Sequence, residues 1–291
     1  MPLRAIVHAE EVLAVTNAPR ILVADCYIKD AEKWTPTPWG WETAVGGTTI
    51  INVDHHAADE RFYRHISSGN LAIEYRKTHA PVEATAVVIN HTDCDSMISS
   101  AILMGLLEPE DRYADAVIAA DHTGEMNEIA ELLQALDVSR DYAASLRNLR
   151  LLENGQPVER HVMALLEDRR RERALASQLV GEGAFQRIGK VVVATLPIDQ
   201  RISGEFLPPL LADAWVIVSG TPMAQSRLWE TKVRLGLAAP PGFSLFKLGI
   251  AQAEPRFGGR WNAGSTKRAG GSPLTPREVA ATLADLIGKL N

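Results

Sequence analysis

The sequence holds only two cysteines in 291 residues, which leaves no disulfide framework and no CxxC knuckle for a thiolate-held zinc. Cys26 sits beside Asp25 and Cys94 between Asp93 and Asp95. They are open to two readings: oxidation-sensitive neighbours of a site, or small side chains packing behind a loop. No apolar run reaches the roughly 18 residues of a membrane span. The first stretch, MPLRAIVHAEEVLAV, is broken by acids, unlike a secretory leader, so the expected setting is cytoplasmic. Aromatic residues make up 6% of the chain, and no extended basic and aromatic tract is present, so a long nucleic acid is not an expected partner. No solenoid-type repeat is visible.

Positive charge is scarce in the front half. Residues 1–149 hold 11 Lys+Arg against 23 Asp+Glu, a net of −12, whereas residues 190–291 hold 12 against 7, a net of +5. An acidic front and a basic back suit a protein that binds cations with one part and an anion with the other. Compositional drift between two domains explains the asymmetry equally well by itself.

What is there is a repeated local design. RILVAD (20–25), TTIINVD (48–54), TAVVINHTD (85–93) and DAVIAAD (115–121) are short apolar runs, each ending at an aspartate. Unalternating apolar runs predict strands covered on both faces, as in a parallel sheet. SMISSAILMGLL (96–107) and EMNEIAELLQAL (125–136) have helical apolar spacing, with Asp95 or Ser96 as candidate cap of the first. The tryptophan-rich stretch 34–47 reads as a loop. The charged stretch 143–185 reads as helical, with EDRRRERA as a solvated face. Runs at 190–197, 214–220 and 230–237, closed by VAATLADLIGKL, predict a second module of strands with flanking helices. Between them, 256–271 is rich in glycine and arginine and reads as too irregular to be core. The expected fold class is α/β, with domains at 1–145 and 189–291 joined by a helical connector at 146–188.

The chemistry gathers at the strand ends. His55, His56, His91 and His122 fall there, with Asp25, Asp54, Asp93, Asp95 and Asp121. A single aspartate after a strand is more often a cap than a ligand. Five carboxylates at one sheet edge would repel and raise one another's pKa values, and divalent cations relieve that. Aspartate oxygens with a minority of imidazoles suit Mn²⁺ or Mg²⁺, with Co²⁺, Fe²⁺ or Zn²⁺ also compatible. So many acids exceed the needs of one ion, which points to two metals sharing a carboxylate. Two-metal sites activate a water for in-line phosphoryl displacement. A single-zinc hydrolase acting on amides is the competing enzyme class.

VDHH, NHTDCDSMISSA, ILVADCY and AVIAADHTGE together resemble the motifs of the DHH phosphoesterase superfamily, and FGGRWNAGS is similar to the glycine-rich loop of its associated DHHA1 substrate domain. The resemblance spans essentially the whole chain, although the motifs stand in permuted order, with Asp25 and 54–56 ahead of 91–95. It implies a parallel-sheet DHH-like catalytic domain and a smaller α/β DHHA1-like domain. It implies two divalent cations, Mn²⁺ first, with Asp25 bridging, His91 and Asp93 completing one site, and Asp95, His55 and Asp121 the other. His56 would face the substrate as a catalytic residue, assisted by Asp54, which orients the motif. His122 receives no role from the resemblance. Gly258, Gly259, Arg260, Asn262, Gly264 and Ser265 would bind substrate. The implied activity is hydrolysis of a small phosphorylated substrate, a nucleotide or another phosphorylated metabolite. A short-oligonucleotide exonuclease, a pyrophosphatase and a non-catalytic nucleotide sensor are the alternatives, and a homodimer is left open.

Overall fold

A computed structural model describes residues 8–56, 60–63, 66–81, 85–224 and 226–290. Residues 1–7 of the N-terminal stretch and 57–59, just after His56, lie outside the described residues. By contacts the chain divides into two compact units: Met1–Asp121 with Met126–Arg169, and His122–Glu125 with Arg170–Asn291.

The first unit runs α1 (Ala9–Leu13), β1 (Arg20–Ala24), β2 (Thr35–Thr37), β3 (Gly40–Val45), β4 (Thr48–Val53), α2 (Ser68–Thr78), β5 (Thr85–Val88), α3 (Cys94–Leu103), α4 (Asp111–Ile118), α5 (Glu128–Leu136), α6 (Tyr142–Glu153) and the front of α7 (Arg160–Gly181). Its sheet has the order β2-β3-β4-β1-β5. Strand β1 pairs in parallel with both β4 and β5. Ile21, Leu22, Val23 and Ala24 are all buried, as expected of a central strand covered on both faces.

The sheet is mixed rather than parallel, because 34–47 is not a loop. It forms the antiparallel hairpin β2–β3, and β3 pairs antiparallel with β4. Gly46 and Gly47, with φ of +59° and +84°, make the two-residue turn that only glycine enters easily at both positions. At Gly40 a Cβ would stand 1.9 Å from the Asn52 carbonyl oxygen, so the strand crossing itself demands glycine.

The run 115–121 also departs from expectation. It is not a strand but the end of α4, followed by a π-helical turn over Ala119–Thr123. Five apolar residues cannot separate strand from helix; starting at Asp111, however, Tyr113, Ala116, Val117 and Ala120 bury one helical stripe. The helices predicted on either side of it, over 96–107 and 125–136, are present as α3 and α5.

The second unit continues with the rest of α7, then β6 (Gln186–Ile188), β7 (Val191–Thr195), β8 (Val216–Pro222), β9 (Trp229–Leu235), α8 (Leu245–Leu248), α9 (Ile250–Ala253), β10 (Gly258–Gly259), β11 (Ala263–Ser265) and α10 (Pro276–Gly288). The sheet order is β10-β11-β9-β8-β7-β6. Only β7 and β8 run parallel among its described pairs; the others are antiparallel. Side chains alternate between faces. Val216, Val218 and Val233 pack under α10, whereas Val192, Ala194 and Ile217 pack with Ala176 and Leu179 of α7 and with Phe206. Thr275, Pro276 and Glu278 form a capping box with proline at the first turn of α10. Both units are therefore α/β with mixed sheets.

Helix α7 is not simply a solvated face. Arg169 pairs with Glu131 at 3.2 Å, and Arg173 donates to the Gly124 carbonyl at 2.8 Å and lies over the Phe206 ring.

In the first unit, fully buried Asn52 ties β4 to the turn after β1, donating through Nδ2 to the carbonyls of Val23 (3.2 Å) and Cys26 (3.0 Å). Asn52→Ala leaves these acceptors short of a donor and is expected to cost about 1–3 kcal/mol. Urea denaturation with an unchanged m-value reads this; a loss below about 0.5 kcal/mol would show that the amide does not hold the turn.

Candidate metal centre

The C-terminal ends of β1, β4 and β5 and the N-termini of α2 and α3 bring the first unit's acids and imidazoles together. Asp25 follows β1 directly. Its N–H still bonds the Val53 carbonyl at 3.1 Å, and its φ of +49° then turns the chain away from the sheet. A non-glycine residue held there stores roughly 1–3 kcal/mol, which its surroundings must offset. They do: Asp25 accepts from Ser68 Oγ (3.0 Å) and Ser96 Oγ (2.7 Å), while His91 Nε2 lies 3.0 Å from its Oδ2.

His55, fully buried after β4, places Nδ1 2.7 Å from the Ile66 carbonyl. A carbonyl only accepts, so Nδ1 carries a hydrogen and the ring turns Nε2 toward the acids. That Nε2 lies 3.2 Å from Asp121, 3.4 Å from Asp95 and 3.8 Å from Asp25. His56 is held differently. Its Nδ1 lies 2.5 Å from Asp54 Oδ1, and its backbone N–H bonds the other Asp54 oxygen at 3.1 Å. Asp54 is fully buried, whereas His56 keeps part of its ring exposed. On the β5 side, Thr92 anchors the loop through Asp137. His91 Nδ1 meets Asn90 Oδ1, and its Nε2 lies 3.3 Å from Asp93. Asp93 also caps α3 by accepting from the Ser96 N–H at 3.0 Å.

Asp95 has a double duty. Its oxygens accept from the first N–H groups of α2, Ser68 at 2.8 Å and Gly69 at 2.6 Å. Four lone-pair directions per carboxylate leave it capacity for a cation. Gly69 permits the approach: a Cβ there would meet Val117 at 2.7 Å and Asp95 at 3.1 Å. The helix ends favour negative charge by about 0.3–1 kcal/mol each.

The electrostatics show what is missing. Burial pushes the Asp25 carboxyl up, but His56, His91 and His55 outweigh it and hold Asp25 well below the usual carboxylate range. For Asp95, burial and the charges of Asp25, Asp121 and Asp93 all push upward, outweighing the Gly69 N–H, so it tends to keep its proton. Burial opposes charge on His91, but Asp93 and Asp25 raise its pKa to about 12. Added positive charge, from a proton or a cation, would relieve this crowding of acids. Two groups, Asp25–His55–His56 and Asp25–His91–Asp93, each set one ligand atom per residue within 4.8 Å of one another, with Asp25 common to both. Oxygens of aspartate and nitrogens of imidazole fit hard-to-borderline divalent ions.

All of the first unit's predicted site residues thus meet at one sheet edge. Sequence reasoning missed Ser68 and Ser96, which hold Asp25, and the Ile66 carbonyl, which orients His55. The S-x-x-N capping box at Ser67–Asn70 was the readable signal for the first of these.

The second unit's loop is a tight hairpin. Gly258 pairs with Ser265 and Gly259 with Gly264, and the Arg260 N–H bonds the Ala263 carbonyl at 2.8 Å. Far from irregular, it buries Trp261 and Asn262. Asn262 Nδ2 lies 3.1 Å from His122 Nδ1. A Cβ on Gly259 would come within 2.4 Å of Ala263 O, and one on Gly264 within 2.4 Å of the Phe257 ring. Protein atoms fill those spaces, so strand pairing accounts for both glycines.

No family model matches the chain, and no curated protein does either. Fourteen chains among the solved structures match it. One is a pGpG-specific phosphodiesterase, PggH from Vibrio cholerae, at 9% identity and a TM-score of 0.45, covering 92% of this chain and 99% of that one.

Mn²⁺ held by the Asp25–His91–Asp93 group would displace the proton on His91, so its affinity is expected to rise with pH between 6 and 8, about tenfold per unit for each proton released. Titration calorimetry in buffers of different ionisation enthalpy counts those protons. A flat affinity with no proton release would remove His91 from the ligand set.

Proposed function

We propose that the chain is a metal-dependent phosphoesterase acting on a small phosphorylated substrate, a nucleotide or another phosphorylated metabolite. The observation that carries this reading is the sharing of Asp25 by two Asp/His donor groups. A residue common to two such groups suits a carboxylate between two ions. In this reading His91 and Asp93 complete one site, and Asp95, His55 and Asp121 the other, with Mn²⁺ as the preferred ion and Mg²⁺ or Co²⁺ as substitutes. Bound there, a pair of divalent cations supplies Lewis acidity, a water of lowered pKa and neutralisation of phosphate charge.

The protein's own residues supply the rest. Ser68 and Ser96 fix both oxygens of Asp25, so that its carboxylate cannot swing when charge shifts around it. The Ile66 carbonyl keeps a hydrogen on Nδ1 of His55 and so turns Nε2 toward the acids. Asp54 grips His56 through Nδ1, which also lies 3.5 Å from Asp25, and the ring stays partly exposed. That arrangement suits a group that binds the phosphate or hands a proton to the leaving oxygen. Residues 1–145 would carry the metal chemistry, 146–188 connect, and 189–291 hold the substrate. No helix among the described residues is long and apolar enough to cross a membrane.

A screen of phosphate release with Mn²⁺ present, over mononucleotides, short RNAs, cyclic dinucleotides, pyrophosphate and sugar phosphates, tests the reading. At least one small phosphorylated compound is expected to turn over, EDTA to stop it, and Asp93→Asn to abolish it. His56→Gln is expected to lower kcat by about 10²–10⁴. Fully metallated protein that binds nucleotides yet releases no phosphate from any of them would be a sensor instead.

A further inference from the structure

Strand β9 alternates in an unusual way. Val233 enters the core beneath α10, while Glu230, Lys232 and Arg234 project from the opposite face. On that face lies a cleft of about 360 Å³, within the second unit, lined by these three residues with Arg201, Glu205, Ser265 and Lys267 among others. Its volume falls in the about 300–1,000 Å³ range of small-molecule sites.

Four cations, Arg201, Lys232, Arg234 and Lys267, line the cleft against two carboxylates, Glu205 and Glu230, a net charge of +2. Arg201 pairs with Glu230. Lys232 is half-buried and donates one of its three ammonium hydrogens to the Ile202 carbonyl at 2.9 Å. Burial, then Arg201 and Lys267, press the Lys232 pKa below its usual value, only partly opposed by Glu230 and Glu172. Cations gathered where they disfavour one another need a reason, as do the carboxylates of the first unit, and an anion is the complementary one. A terminal phosphomonoester carries close to two negative charges at neutral pH, which matches the cleft; a diester carries one.

We infer that this cleft binds the terminal phosphomonoester of a small ligand, with Lys232, Arg234, Lys267 and the Ser265 hydroxyl as its donors. Recognition then falls to β9 and the far strand of the hairpin rather than to Gly259, whose space protein atoms fill. Of the six loop residues predicted to bind substrate, Gly264 and Ser265 line the cleft. As a seat for the substrate the inference rests on the phosphoesterase reading; as a phosphate site it does not, because binding here requires no metal.

The test is calorimetry on the full chain in EDTA at low ionic strength, with 5′-AMP and adenosine as probes. AMP is expected to bind, adenosine to bind at least about tenfold more weakly, and added salt to weaken AMP alone. Arg234→Gln and Lys267→Gln should each weaken AMP by about tenfold or more, as for a lost charge-assisted hydrogen bond. Lys267 is exposed, so its variant keeps the test sound should the Arg234 variant misfold. No binding of AMP, equal binding of the two probes, or native affinity in the Lys267 variant would each overturn the inference. Phosphate binding without turnover of any compound would sink the enzyme reading and leave this site standing.

Discussion

A carboxylate buried at the end of a central strand stays ionised only beside compensating charge, and Asp25 imposes that demand on everything around it. Three imidazoles answer it from two loops, His55 and His56 after β4 and His91 after β5, and two serine hydroxyls fix its oxygens. The same imidazoles cannot serve every acid. Asp95, equally buried, is pushed toward its protonated form by the ionised neighbours. The cluster is therefore balanced only by protons or by cations, and a protein that needed neither would lower its cost by replacing one acid with an apolar side chain.

The backbone is arranged around this demand. Asp25 accepts a left-handed conformation so that its side chain faces the helix ends. Gly69 and Ser68 open α2 with N–H groups aimed at Asp95, and Asp93 caps α3. The contacts of Asp95 and Asp93 also satisfy helix termini that would otherwise be left with orphan donors. Fold and site are thus not separable here: the residues that start the helices are the residues that hold the acids.

Much of this was legible in the sequence. The apolar runs ending at Asp25, Asp54 and the 90–95 loop are strands or strand ends, and their acids and histidines do converge. Asp121 converges too, but for a different reason than expected. Its run of five apolar residues belongs to a helix, and the π-helical turn at Ala119–Thr123 carries the carboxylate to the sheet edge. Sequence pattern reports burial, and in so short a run burial alone does not tell a helix from a strand. The β2–β3 hairpin was hidden for the opposite reason. Prolines, glycines and polar residues mark it as a loop, and only the Gly46–Gly47 turn, pairing Val45 with Thr48, discloses it. The serines around Asp25 were unreadable as ligand holders, because a cap serine and a carboxylate-binding serine look alike until the helix is placed.

The two halves pose the same electrostatic problem with opposite sign. In the first, acids are gathered beyond what the imidazoles can neutralise; in the second, cations line a cleft beyond what Glu205 and Glu230 can neutralise. Folding stability explains neither excess, since burying like charges together works against it. A phosphorylated ligand with divalent cations would resolve both imbalances, because phosphate oxygens complement the cations of the cleft and metal ions complement the acids.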